Sequence, residues 1–279
     1  MGTRITVLCE NSVGDIRGLG EHGFSALIET SEGHYLFDTG GGHTILPNAL
    51  AFGKDLKGVK KVCLSHGHYD HTGGLPLVLQ RAGPIDVYAH PDIFLERIAV
   101  FKRGKEEIRR FVGLPYRRVY LEFLGARFVL ERGFQDFGRG IFLTGEVPRR
   151  TSFEGSDQRL LALKNGEYRI DEFRDDQSIV LDTPKGLVVI FGCAHAGMVN
   201  TLRYAMERVG KERIHAILGG THLAFLTDEQ LEASIKTLKE LSVEKIGVSH
   251  CTGLKAASRL AHEFRDRFFF ASVGTVLEV

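Results

Sequence analysis

No charge of one sign dominates this chain: 36 lysines and arginines stand against 35 acidic residues, a formal net charge of +1. That excludes the global basic field that draws a protein to nucleic acid. No apolar run reaches the roughly 18 residues of a membrane span. Nothing reads as a secretory leader, because Arg4-Ile5-Thr6-Val7-Leu8 already has the pattern of a first strand. Cysteine is sparse. Cys9, Cys63, Cys193 and Cys251 form no C-x-x-C pair and fall in strand-like segments, so they read as reduced core residues of a cytoplasmic protein. Neither a linker nor a low-complexity segment interrupts the 279 residues, whose 43% hydrophobic and 25% charged content is ordinary for a globular chain. The expectation is one domain over 1–279.

Against these absences stands one dense stretch. His66-Gly67-His68-Tyr69-Asp70-His71 follows the apolar run Lys61-Val62-Cys63-Leu64-Ser65. Three imidazoles and a carboxylate within six positions are metal-ligand types crowded into one loop. A strand feeding such a loop differs from the helical H-E-x-x-H arrangement, in which one helix face supplies both histidines. The plain alternative is a polar loop whose histidines only make hydrogen bonds.

Three further segments deliver a histidine at the end of an apolar run too short for a globular helix. His195 ends Val188-Val189-Ile190-Phe191-Gly192-Cys193-Ala194-His195, His222 ends Ala216-Ile217-Leu218-Gly219-Gly220-Thr221-His222, and His250 ends Lys245-Ile246-Gly247-Val248-Ser249-His250. In layered α/β proteins ligands collect where strands give way to loops, so these ends point to one shared site. Cys193 and Cys251 flank two of these histidines, and a soft thiolate is also a metal ligand.

Other residues carry weaker signals. His22, in a glycine-rich loop, is a candidate acid, base or phosphate contact, or a turn residue with no role. Thr252 and Gly253 offer backbone N–H groups to an anion beside His250, with Lys255 adding charge; alternatively Thr252 is simply a helix N-cap. Lys102, Arg103, Lys105, Arg109, Arg110, Arg117 and Arg118 make 102–118 a basic stretch, either a guide for a phosphorylated substrate or a solvated helix face. His90 reads as structural, and His34, His43, His215 and His262 have no motif around them.

Strand-like runs fall at 3–9, 24–30, 34–38, 61–65, 85–89, 126–130, 140–144, 178–182, 186–191, 214–218, 245–249 and 268–272. Helical periodicity is expected at 43–52, 72–82, 91–112, 197–209, 227–241 and 253–266. Ser31-Glu32-Gly33 and Thr183-Pro184-Lys185-Gly186 read as hairpin turns.

The H-x-H-x-D-H loop resembles that of the metallo-β-lactamase superfamily. The resemblance implies an α/β fold of the αββα four-layer sandwich type, pseudo-duplicated, with two sheets face to face and helices outside. It further implies a dinuclear centre: His66, His68 and His195 on one ion, Asp70, His71 and His250 on the other, with Asp38 orienting a histidine from behind. Glu21-His22-Gly23-Phe24-Ser25, Thr144-Gly145-Glu146-Val147-Pro148-Arg149, Gly192–Gly197 with Asn200, Gly219–Leu223 and Ser249–Gly253 narrow the match. They are similar to the subfamily named for dihydropterin-ribofuranosylaminobenzene 5′-phosphate synthase. One departure carries physical content. Where the superfamily places an aspartate that bridges both metals, this chain offers His222, with no acid nearby in sequence. A neutral imidazole cannot span two ions, so the site keeps about one extra positive charge, which favours an anionic substrate. The alternative is that His222 stands behind the ligands.

These readings converge on a metal-dependent hydrolase with two divalent ions, zinc foremost and manganese or iron as alternatives, acting on a small anionic, phosphorylated substrate. Metal-bound hydroxide would attack, with Asp70 and His22 as the catalytic side chains. The alternative is a transferase of the synthase type, joining a pterin-methyl diphosphate to an aromatic amine. A nuclease would carry a basic arm or an added domain. An oxygen-reducing diiron protein of this fold would have Glu where His68 stands. The expected partner is the small-molecule substrate, not nucleic acid or membrane, with oligomer formation left open.

Overall fold

The structure is a computed structural model that describes residues 2–279. Its first half contains β1 (Arg4–Cys9), β2 (Ser25–Thr30), β3 (Gly33–Phe37), α1 (Ile45–Ala51), β4 (Val59–Cys63), α2 (Tyr69–Thr72), α3 (Leu75–Ala82) and β5 (Ile85–Ala89). The chain continues through β6 (Arg97–Arg103), β7 (Glu106–Phe111), α4 (Arg118–Phe123), β8 (Ala126–Leu130) and β9 (Gln135–Asp136). Next come β10 (Ile141–Leu143), β11 (Leu160–Lys164), β12 (Glu167–Ile170), β13 (Ser178–Thr183) and β14 (Gly186–Phe191). It ends with α5 (Met198–Val209), β15 (Ile214–Gly220), α6 (Asp228–Glu240), β16 (Lys245–Ser249), α7 (Gly253–Phe264), β17 (Phe268–Phe270) and β18 (Val276–Glu278).

Two seven-stranded sheets run β18-β1-β2-β3-β4-β5-β8 and β17-β16-β15-β14-β13-β10-β9. Each contains three antiparallel strands followed by three parallel ones: β1-β2-β3 then β4-β5-β8, and β10-β13-β14 then β15-β16-β17. The pairing pattern is thus repeated in the two halves, although their sequences share no visible identity. Both hairpin turns form, closing Thr30 on Gly33 and Thr183 on Gly186.

The strands are apolar on both faces because both faces are covered. Ile28, Phe37 and Cys63 of one sheet pack against Ile179, Ile190 and Leu218 of the other. The opposite residues, such as Leu27, Leu36 and Val62, meet α1, α3 and α4 through Ile45, Leu75, Val78 and Leu121. Val189, Phe191 and Ile217 meet α5, α6 and α7 through Leu202, Ile235 and Leu260. The layers are helix, sheet, sheet, helix. No helix among the described residues is long and apolar enough to cross a membrane.

The expected helix over 91–112 does not form. Pro91–Phe94 makes a single 3-10 turn, and β6 and β7 then pair in a hairpin that matches Phe101 with Ile108 and Arg103 with Glu106. Glu106, Glu107, Arg109 and Arg110 favour helix by intrinsic preference, but this hairpin docks on β11 and tertiary pairing decides. A second hairpin, β11–β12, turns at Asn165-Gly166, both at positive φ. Asn-Gly is the residue pair such a two-residue turn demands. The result is a separate four-stranded sheet, β12-β11-β6-β7, which supplies one wall of the site described next.

Candidate metal centre

Every histidine of interest follows the C-terminal end of a strand: His66 after β4, His195 after β14, His222 after β15 and His250 after β16. Because these strands sit side by side in the two facing sheets, their ends open onto the same edge of the sandwich. Gly192 permits the closest approach of the halves. A Cβ there would run into the Ser65 hydroxyl and lie 2.9 Å from Asp38 Oδ2. Asp38, Phe173, Ala194, His222 and His250 all hold left-handed backbone at φ of 47–58°. Strained positions of this kind are retained where the surroundings over-determine them, commonly at functional sites.

Hydrogen bonds fix which nitrogen of each ring faces inward, taking tautomers from the network. Asp38 Oδ2 accepts from His71 Nδ1 at 2.7 Å and from Ser65 Oγ at 2.7 Å. Ser65 Oγ, its proton committed to Asp38, accepts from His66 Nδ1 at 2.8 Å. Asn11 Oδ1 accepts from His250 Nδ1 at 2.8 Å, while Asn11 Nδ2 donates to His22 Nδ1 at 3.3 Å. His22 therefore presents its Nε2 proton to Asp70 Oδ2, 3.1 Å away. The Nε2 atoms of His66, His71 and His250 are left as inward-facing lone pairs.

Those lone pairs point at one another. His71 Nε2 and His250 Nε2 lie 3.3 Å apart, and Asp70 Oδ2 lies 3.2 Å from the second and 4.0 Å from the first. His66 Nε2 and His68 Nδ1 are 3.0 Å apart, and one ligand atom each from His66, His68 and His195 fall within 4.8 Å of one another. The ring of His195 is held flat on Phe173, with centroids 3.8 Å apart and planes 5° from parallel. His68 Nε2 and His195 Nε2 are buried with no hydrogen-bond partner. Burial holds His66, His68 and His195 well below the usual imidazole pKa, in the neutral form that ligates metal. Burial opposes the Asp70 carboxylate, but His71, His22 and His250 around it hold its pKa well below the usual range. Facing acceptors on His71 and His250, with unpartnered buried nitrogens on His68 and His195, form a donor set that fits a pair of cations.

His222 departs from the expectation that no acid lies near it. Asp157, from the loop before β11, places Oδ2 3.3 Å from His222 Nε2 and is itself clasped by Arg159 at 2.6 and 2.9 Å. Burial disfavours a charged His222 ring, yet Asp157 outweighs it and lifts the pKa to about 9. Nε2 is thus turned away from the centre, and only Nδ1, buried without a partner, remains available to it. The ring still lies 4.3 Å from that of His195, centroid to centroid. Cys193, in contrast, sits inside the cluster, its Sγ 3.2 Å from His71 Nε2.

A cavity of about 170 Å³ opens beside these groups. His22, Tyr69 and Asp70 line one side; Phe101, Leu160 and Phe225 form an apolar wall opposite. Of the basic stretch 102–118 only Arg110 reaches the cavity, and it has no carboxylate partner among the described residues. The stretch is a β-hairpin and loop, not a basic helix. Arg159 lies over the Phe225 ring at 4.6 Å. Thr252, Gly253 and Lys255 are not brought to the site. Gly253 N–H donates to the His250 carbonyl, Thr252 Oγ1 accepts from Thr221, and Lys255 pairs with Asp228 at the exposed surface. Asn11, Ser65, Asp157 and Phe173 escaped sequence reasoning, since none has a motif of its own.

A profile of the metallo-β-lactamase superfamily matches residues 18–152. The chain is 32% identical to the 7,8-dihydropterin-6-methyl-4-(β-D-ribofuranosyl)-aminobenzene-5′-phosphate synthase of Methanocaldococcus jannaschii, covering 92% of this chain and 90% of the relative. An uncharacterized protein of the same organism is 30% identical over 93% of this chain and 94% of its own. Among solved structures, Tm1679, described as a metal-dependent hydrolase of the β-lactamase superfamily, superposes with a TM-score of 0.84 at 33% identity, covering 99% of both chains.

Proposed function

The chain belongs to the metallo-β-lactamase superfamily, and on that premise we propose that it is a metal-dependent hydrolase of a small anionic, phosphorylated substrate with an apolar ring. The observation that carries this is the convergence of His71, His250 and Asp70 donor atoms at 3.2–4.0 Å, with both Nδ1 protons tied up behind them. His66, His68 and His195 would hold one divalent ion, and Asp70, His71 and His250 the other. His222 would join the first set through Nδ1 only by giving up the ring proton that Asp157 otherwise stabilises. Zinc suits this imidazole-rich donor set, as manganese or iron would to a lesser degree. Such ions would supply Lewis acidity and draw a nucleophile from water near neutral pH.

The protein's own groups account for the rest. Arg110, unpaired on the cavity wall, binds the anionic group by charge-assisted hydrogen bonds. Phe225, Phe101 and Leu160 hold an apolar or aromatic portion against that wall. His22 keeps a proton at Nε2 against Asp70 and is half exposed toward the cavity, a position from which it can protonate a leaving oxygen. The apolar wall also supports the second reading, a transferase like the synthase relative, in which the same wall holds a pterin and an aromatic amine.

Turnover of the metal-loaded protein against phosphodiesters, phosphomonoesters, lactones and β-lactams tests the first reading, with a pterin-methyl diphosphate plus an arylamine testing the second. Phosphorylated members should be preferred, and Arg110→Ala should raise KM for them roughly tenfold with little change in kcat. Preference for a neutral lactone would overturn the substrate assignment. Full metal content in both His66→Ala and Asp70→Asn would overturn the centre.

A further inference from the structure

We propose that Cys193 supplies a thiolate ligand between the two halves of the metal centre, in the role that the missing bridging aspartate would fill. The inference rests on the reading of the site as a dinuclear centre. Its basis is position. Cys193 Sγ is buried and belongs to three separate groups of donor atoms lying within 4.8 Å of one another: with His66 and His71, with His195 and His222, and with His250 and Cys251. Among the described residues Cys193 alone enters three such groups, whereas His66, His195 and His250 enter two each. His195 and His222, each more than nine-tenths buried and each with a ring nitrogen lacking any partner, converge on the same sulfur.

The charge and bonding logic agrees. Asp70 is the single carboxylate among the proposed ligands, since Asp38 is committed behind His71 and Asp157 to His222 and Arg159. An imidazole donates one lone pair inward and holds one ion, whereas a thiolate sulfur has lone pairs for two. On binding, the Cys193 S–H bond breaks, the proton goes to solvent, and metal–sulfur bonds form. The added negative charge offsets the surplus that His222 in the aspartate position would otherwise leave. Cys251 plays a different part: its Sγ accepts the backbone N–H of His222 at 3.2 Å. It steadies the loop beside the centre. Cys9 and Cys63 lie outside all of these groups.

The test is cobalt substitution of the full chain, with cobalt content measured by elemental analysis and the near-ultraviolet spectrum recorded in parallel. The wild type should bind two cobalt ions and show an intense sulfur-to-cobalt charge-transfer band. Cys193→Ser should lose that band while retaining cobalt, and Cys251→Ser should keep both. Cys193→Asp guards against a misfolded serine variant: it should bind two cobalt ions without the band. X-ray absorption of the zinc-loaded wild type should show a sulfur scatterer at about 2.3 Å. Two bound cobalt ions with no band, or a band that survives in Cys193→Ser, would overturn the thiolate while leaving the dinuclear centre standing. Failure to bind cobalt at all would overturn both.

Discussion

Asn11 shows how much of this site is decided one atom at a time. Its side-chain carbonyl takes the Nδ1 proton of His250, and its amide nitrogen supplies a proton to Nδ1 of His22. One residue therefore turns His250 into a lone-pair donor at Nε2 and His22 into a proton donor at Nε2. Asp38 does the same for His71 directly, and for His66 through Ser65. Partners of this kind set ring orientation and basicity, and removing them typically costs ten- to a hundredfold in metal affinity. Asn11→Ala should accordingly weaken the more labile ion about tenfold or more in competition with a chelator, while a circular dichroism melt changes little. Unaltered affinity at both ions would show that His250 is oriented by something else. Asp38 was expected through the family resemblance, since an aspartate that merely caps a loop would look the same in sequence; Asn11 was not, because nothing about an isolated Asn after a strand distinguishes it.

At the scale of elements, the His66–His71 loop is held from below by a buried ion cluster. Arg97, on β6, reaches Asp171 at 2.6 Å and Asp175 at 2.7 Å, and the other Asp175 oxygen accepts the Gly67 N–H between His66 and His68 at 2.8 Å. One guanidinium cannot fully offset two buried carboxylates. Burial raises the Asp175 pKa to about 7, Asp171 adding to it and Arg97 opposing it. A carboxyl raised in the folded state is neutral there over a pH range in which it ionises in the unfolded chain. Its contribution to stability is therefore highest at acid pH and is lost as pH rises from its unfolded value, near 4, to about 7. Denaturation of wild type and Asp175→Asn at pH 5 and pH 8 should show the wild type losing on the order of 2 kcal/mol relative to the variant between the two. A pH-independent difference would mean that Asp175 is ionised throughout. The same hairpin that carries Arg97 is where sequence reading failed. Apolar runs ending in glycine and histidine are short and unambiguous, so the strands bearing the proposed ligands stood out. The β6–β7 ladder is mostly exposed and rich in Glu, Lys and Arg, so it lacks the apolar alternation that marks a strand. The Asn165-Gly166 pair in the β11–β12 hairpin was the available signal for its neighbours.

Across the whole molecule, the proposed centre joins two halves that otherwise meet through an apolar interface. His66, His68, Asp70 and His71 come from the first sheet's loops, and His195, His222 and His250 from the second. The facing residues between the sheets, such as Ile28, Phe37, Ile190 and Leu218, are fully buried. That interface, like the two sheet–helix cores, stabilises the fold in proportion to the apolar area it removes from water. At the open edge it gives way to His71 and His250, whose inward nitrogens face one another at 3.3 Å, and to the close pair His66 and His68 at 3.0 Å. Ions that bind these groups in the folded chain, and have no preformed site in the unfolded one, stabilise by RT ln(1 + [L]/Kd), about 4 kcal/mol when free metal exceeds Kd a thousandfold. For a chain of this size that corresponds to a melting shift on the order of 10 °C. Chelation of the purified protein should lower Tm by about that amount, and zinc should restore it. His66→Ala and His250→Ala should each shrink the shift, because each strips one side of the centre. Lys255→Ala, remote from the site, should leave it unchanged. Equal melting temperatures with and without chelator would leave the convergence of these rings without a cation to explain it, and the assignment of the centre would fall.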